Sequence, residues 1–275
     1  MANCDFRIKF DPKTETQRDL IKRILYVLYI KRLKNNKPAV TFISADSGEG
    51  KSWAALSLQE ILCELQGINF LQYMDAVNVY HPGEYGEKID NLLYNQSIKE
   101  VNLICVHEAR ELVKAKNWQQ FLAQAIADVN AMSRGIKRLC FFIISQFIRD
   151  ITVDVRYTLN YYIKVSRPLG HKARLYFYVL WKDDRNLDKP MLKKRKLRGV
   201  IELPDGTQQF IKPMYFELDK PSKEVLEIFE KHDFEAKSKI LKGKLKKLMK
   251  SINKDLDIEG QTIEKLIDFY SETPE

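Results

Sequence analysis

The sequence predicts an α/β fold with a mainly parallel central sheet. Continuous apolar runs at 38–44, 101–106, 138–144 and 161–165 read as strands buried on both faces. Segments with helical spacing separate these runs, and that alternation is the pattern of a sheet covered by helices. The longest apolar runs, near 101–106 and 139–144, fall far short of the ~20 residues that a membrane span needs.

Taken in order, residues 13–34 read as an amphipathic helix, with Leu20, Ile24, Leu28 and Ile30 set among Lys and Arg. Asn35-Asn36-Lys37-Pro38 ends it. Strand 38–44 leads to a helix over 50–65, which Gly67 closes. Phe70 to Val79 reads as a strand and turn, 81–86 as a loop, and Gly86 to Tyr94 as a short helix. Strand 101–106 ends at His107-Glu108-Ala109-Arg110, and 117–133 reads as a helix with Phe121, Ala125, Val129 and Met132 on one side. Strand 138–144 ends in Ser145-Gln146, Asp154 to Asn160 is a short helix or turn, and 161–165 is the next strand.

After Pro168 the pattern changes. Residues 175–181, 198–203 and 208–211 read as β-segments, with Pro204-Asp205-Gly206 as a turn. Residues 221–235 and 237–270 read as two helices, the second weakened by Gly243. The expected organisation is an N-terminal helical segment (1–37), a core (38–168), a β-hairpin-rich extension (169–218) and a basic helical C-terminal region (219–275).

At 275 residues and 45% hydrophobic, the chain can build one large α/β domain with additions or two small ones. The formal charge is +9, and the excess is uneven. One cluster is Lys193-Lys194-Arg195-Lys196 with Arg198; a second runs through Lys237, Lys239, Lys242, Lys244, Lys246, Lys247 and Lys250. For a single lysine, solubility is the plain reading. Two dense clusters suit a phosphate backbone. Leu241, Leu245, Leu248 and Ile252 form a narrow apolar stripe among the second set, suited to a subunit or DNA contact. The N-terminus lacks the apolar core of a signal peptide, and Cys4, Cys63, Cys105 and Cys140 lack paired spacing. The expectation is a reduced, cytoplasmic protein without a membrane span. His81, His171 and His232 are isolated and receive no metal role.

The chemistry concentrates after the first core strand. Residues 45–52 read Ala-Asp-Ser-Gly-Glu-Gly-Lys-Ser, between Val40-Thr41-Phe42-Ile43 and a helix-patterned segment. A strand, a glycine-bearing turn and a helix start form a phosphate cradle: backbone N–H groups and the helix dipole face the anion. Ala45, Asp46, Ser47, Gly48, Glu49, Gly50, Lys51, Ser52 and Trp53 are the candidate nucleotide contacts. Lys51 would reach the β- and γ-phosphates of ATP and the Ser52 hydroxyl would sit on Mg²⁺. Ala45 stands where the strict motif has glycine, a change of one methyl. Trp53 is large for its position and reads as a core-packing residue rather than a base-stacking one.

Acidic side chains at the end of a neighbouring core strand hold Mg²⁺ through water and polarise the attacking water. Here the pair is His107-Glu108. Glu108 is the candidate base. His107 brings no carboxylate to the metal side, so its role is at most to accept a hydrogen bond from a metal-bound water, and hydrolysis is expected to be impaired.

On these residues the chain resembles the P-loop ATPases of the FtsK–HerA superfamily. That group comprises DNA-pumping motors and includes viral genome-packaging and zonula-occludens-toxin-like phage-assembly members. The loop at 45–52, the strand 101–106 with Glu108, and the strand 139–144 ending in Ser145-Gln146 carry the resemblance, which spans 38–168. It implies a RecA-like sheet, ATP with Mg²⁺, a homo-oligomeric ring such as a hexamer, and DNA, double-stranded, as partner. It further implies that Gln146 senses the γ-phosphate. An arginine would reach a neighbouring subunit's nucleotide, with Arg156 first, then Arg149 and Arg134. His107 departs from the group's pattern.

Three functions remain open at this stage. The first is an ATP-driven DNA translocase. The second is an assembly ATPase acting on protein. The third is a nucleotide-gated assembly or DNA-binding protein with weak hydrolysis, which His107 favours. A small-molecule kinase would need a pocket and lid that the sequence does not reveal.

Overall fold

The computed structural model describes residues 4–35, 37–81, 84–94, 102–107, 139–151, 153–166, 172–183, 191–213 and 215–256. The predicted helix over 117–133 lies outside them. The chain divides into two units, 1–226 and 227–275.

Six consecutive buried residues make β2 (Ala39–Ser44) the strand around which the first unit is built. A strand buried on both faces has to be internal to a covered sheet. β5 (Cys140–Ile144) lies parallel on one side of it and β6 (Tyr161–Ser166) parallel on the other. Beyond β5 come β4 (Leu103–Val106) and then β3 (Asn78–Val79), both parallel. The order β3-β4-β5-β2-β6 therefore brings the C-terminal ends of these strands to one edge.

The sheet continues past β6. β7 (Lys172–Asp183) pairs antiparallel with β6, so the sheet runs through the sequence position where the apolar pattern changes. The first part of β7 pairs with β11 (Phe216–Asp219) and its second part with β8 (Met191–Lys196). A separate small sheet joins β1 (Phe6–Lys9), parallel to β9 (Gly199–Glu202), with β10 (Gln208–Ile211) antiparallel.

The N-terminal helical run is α1 (Gln17–Leu25), a π-turn (Tyr26–Ile30) and α2 (Lys31–Lys34). Thr16 and Asp19 form a capping box at its start, satisfying two orphan N–H groups. The run packs on the sheet through Tyr29, whose hydroxyl meets Thr41 Oγ1 at 2.9 Å and whose ring meets Phe142 edge-on at 5.7 Å. α3 (Lys51–Glu64) follows β2 and is tied to α1 through Glu64, which pairs with Lys22 at 2.5 Å and Arg18 at 3.4 Å.

Several sequence readings change. Residues Phe70–Val77 are a helix, α4, not a strand: Asn69 caps it, and Phe70, Met74 and Val77 are buried at helical spacing. α5 is Tyr85–Tyr94, and Val153–Thr158 form α6. Residues 6–9 are a strand ahead of the N-terminal helix, and the basic run 191–196 is a strand. The two C-terminal helices are one, α7 (Lys223–Leu256). It passes through Gly243 because one interior glycine costs only about 1 kcal/mol, less than a helix end would forfeit. No described helix is long and apolar enough to cross a membrane. Cys63, Cys105 and Cys140 are buried free thiols, and burial pushes Cys63 up to about 12.

Gly199 is required by a close approach. It pairs directly with Phe6, and a Cβ there would overlap the Phe6 ring. Gly199→Ala should cost about 1–3 kcal/mol of stability through overpacking. Combining it with Phe6→Leu should return part of that in urea-melt midpoints; an unchanged midpoint for the single variant would show that this contact does not constrain the small sheet.

Candidate functional site

The C-terminal ends of β2, β4 and β5 define the candidate site. β2 hands over to Ala45, which is 3% exposed, so this first loop position has room for a methyl and little more. Asp46, Ser47 and Gly48 are exposed, and Glu49 N donates to Asp46 O at 3.2 Å to close the turn. Gly48 and Gly50 hold φ of +79° and +78°. Only glycine adopts that region without strain, so both glycines serve the backbone path. Gly50 is the N-cap of α3 and provides no side-chain cap, and no acid stands in the first turn. The first backbone bond of α3 runs from Ala54 N to Gly50 O at 2.9 Å. Upstream N–H groups at such a helix start project from its positive end. Lys51 and Ser52 are half-buried there. This cradle fits a phosphate.

Two neighbouring strand ends adjoin it. Ser145 N donates to Ile43 O at 3.2 Å, extending the β2–β5 ladder to the edge. Ser145 Oγ then donates to Asp150 Oδ2 at 2.7 Å, and Phe147 N donates to the same oxygen at 3.0 Å. Asp150 thereby fixes the turn that presents Gln146, which is half-buried. Asp150 was not singled out by sequence, although a carboxylate three residues past Phe147 is a turn signal.

His107 ends β4 and is 2% exposed. Its Nε2 lies 2.8 Å from Asn78 Oδ1. Asn78 Nδ2 donates to Met74 O at 2.8 Å, so its Oδ1 is the acceptor and His107 Nε2 carries the proton. The ring stacks on Tyr80 at 5.0 Å and 15°. Nε2 is committed to Asn78, and Nδ1, the other ring nitrogen, is buried, so neither is presented to solvent to accept from a metal-bound water. Glu108 and Arg134 lie outside the described residues. Among the described residues no group of three or more His, Cys, Asp or Glu side chains is placed to hold a metal.

No family model matches the chain, and no curated protein matches it. Among solved structures, the N-terminal domain of zonular occludens toxin from Neisseria meningitidis is similar over 58% of this chain and 94% of its own, at 10% identity and TM-score 0.31. The flagellar accessory protein FlaH from Methanocaldococcus jannaschii is similar over 62% and 76%, at 12% identity and TM-score 0.21. Likenesses of this size do not assign an activity.

The remaining candidates separate. Arg156 Nε donates to Ile151 O at 2.9 Å, holding its own chain segment. Arg149 is exposed, and its guanidinium lies 4.7 Å from the centre of the exposed Phe147 ring. Trp53 is not a core residue: it is half-buried, with Lys220 Nζ 4.5 Å from its ring centre. Glu49, Gly50, Trp53, Lys172, Asp219 and Lys220 line a shallow depression beside the loop. Lys220 lies far along the sequence from Trp53, and only the packing of β11 beside α3 reveals the contact. In the basic run, Arg195 is not available to a phosphate. It forms a two-pronged pair with Asp5, both bonds 2.6 Å. Lys194 and Lys196 are exposed.

Proposed function

We propose that the chain is a RecA-like P-loop ATPase that binds ATP at residues 45–53 and hydrolyses it to drive movement on DNA. The observation that carries this is the junction of β2 with α3: two positive-φ glycines and an acid-free helix start at the shared edge where β4 and β5 also end. The interposed β5 supports the reading further, because it sets Gln146 between the loop and the end of β4.

In this reading the loop N–H groups and Lys51 bind the β- and γ-phosphate oxygens. Ser52 would hold Mg²⁺, which supplies charge neutralisation on the phosphates when bound. Glu108 takes the proton of the attacking water and Gln146 orients around the γ-phosphate. Arg149, exposed and free of backbone duty in the way Arg156 is not, becomes the better candidate to reach a neighbouring subunit of a ring. This reading places it ahead of Arg156, which the sequence put first.

A second reading is a nucleotide-gated assembly or binding protein. It is favoured by the Nε2 proton of His107, which turns a donor, not a carboxylate, toward Asn78 beside the site. One experiment separates them: ADP release with and without double-stranded DNA, alongside native mass in each state. The motor reading expects Mg²⁺-dependent, DNA-stimulated ADP release and assembly with ATP or DNA. ATP binding without ADP release selects the switch, and no ATP binding rejects both.

A further inference from the structure

The wing made by β6, β7, β8 and β11 carries a side-chain pattern that the phosphate loop does not use. Directly paired residues of an antiparallel sheet share a face. Tyr162 pairs with Tyr178, Lys164 with Tyr176, and Tyr178 with Lys196. The Tyr162 and Tyr178 rings stack at 5.6 Å and 27°. Lys194 Nζ lies 5.3 Å and 5.0 Å from their centres. Tyr176 meets Tyr215 at 6.0 Å, and the Arg174 guanidinium lies 4.7 Å over the Tyr215 ring.

Apart from Phe42, on whose ring Tyr162 stacks, and Leu180, this face of the wing is not buried. Lys164, Lys194 and Lys196 are exposed and the four tyrosines are half-buried. On the opposite face Leu175, Phe177, Phe216 and Leu218 are buried. Two carboxylates share the tyrosine face, and both are paired: Glu217 with Arg174 at 3.0 Å and Asp219 with Lys172 at 3.7 Å. The face is left net positive.

Half-exposed rings beside lysines match one chemistry. Every base offers a π-face to an aromatic ring, and lysines follow the phosphates, which is how single strands are held without sequence preference. A duplex keeps its base faces inside its own stack, so the rings would gain nothing from it. An acidic peptide would engage the lysines and leave the rings idle. We infer that Tyr162, Tyr176, Tyr178 and Tyr215, rimmed by Lys164, Lys194 and Lys196, bind single-stranded nucleic acid. Bases lie on the rings and phosphates on the lysines. The inference rests on the proposed motor reading only for what that motor would act on. The link is short: Tyr162 OH meets Ser44 Oγ at 2.9 Å, one residue before the loop.

The test is fluorescence anisotropy with labelled oligo-dT and with a duplex of equal length, without nucleotide. Oligo-dT should bind more tightly than the duplex. Tyr176→Leu with Tyr178→Leu should weaken it about 10–100-fold, from two lost stacking platforms. Tyr176→Phe with Tyr178→Phe should stay within about 3-fold, because the rings remain. Lys194→Ala with Lys196→Ala should lower the salt slope by about 1.4. Equal or tighter duplex binding overturns the inference, as does a leucine pair that binds like the wild type, or a wild type that does not bind oligo-dT. Lys51→Ala should leave oligo-dT binding intact, and the leucine pair should still bind ATP. The failure of either reading is thus visible without the other.

Discussion

Lys51→Ala should weaken ATP binding about 30-fold or more while the protein stays folded. Lys51 lies at the first position of α3, and in the proposed ATP site its ammonium would meet the phosphates. Truncating one partner of a desolvated charge pair costs about 2–5 kcal/mol, so affinity should fall about 30-fold to several thousand-fold. Lys51 is half-buried rather than part of the buried core, so the melting temperature should move by only a few °C. Lys51→Arg should not restore binding, because a planar fork does not replace a compact ammonium in a narrow loop. Titration with a fluorescent ATP analogue reads all three. A Lys51→Ala protein that binds ATP normally would place the nucleotide somewhere other than the β2–α3 junction.

His107→Asp destabilises the protein before it can help catalysis. By sequence, restoring a carboxylate at 107 looks like a repair of the metal side. In the folded chain the new oxygens would face Asn78 Oδ1, an acceptor, at a 2% exposed position. Turning the Asn78 amide over would forfeit its bond to Met74 O. The stack on Tyr80 would also be lost. A buried charge without a donor costs about 3 kcal/mol or more. For a unit of this size that is on the order of 10 °C in melting temperature. His107→Gln keeps an N–H donor for Asn78 and should lose less. If His107→Asp melts with the wild type and turns ATP over faster, His107 stands on the metal side after all and the hydrogen bond to Asn78 is dispensable.

The β2–loop–α3 unit was legible because everything that makes it is local: an apolar run, two glycines, and a helix that starts where they end. The parallel core was legible for a related reason, since doubly buried strands leave a continuous apolar signature. α4 was misread because Phe70, Tyr73 and Val77 are residue types at home in a strand. Asn69 as cap was the signal that would have decided it. β8 was unreadable as a strand because Leu192, Lys194 and Lys196 share a face without sharing polarity. The rings of β7, not an apolar core, define that face. Asn78, Lys220 and Asp5 act on residues distant in sequence, at His107, Trp53 and Arg195. No periodicity announces a contact of that kind.

The parallel pairing of β1 with β9 sets a schedule for the growing chain. Phe6 cannot meet Gly199, nor Lys9 meet Glu202, until nearly the whole first unit has been translated. At about 5–20 residues per second the first strand waits on the order of 10–40 s for its partner. During that interval Phe6 and Ile8, both buried at the end, have only the N-terminal helical run beside them and lack their β9 partner. The small sheet is therefore among the last parts of the unit to close, and the N-terminal segment is the part of the nascent chain that stays longest in need of protection.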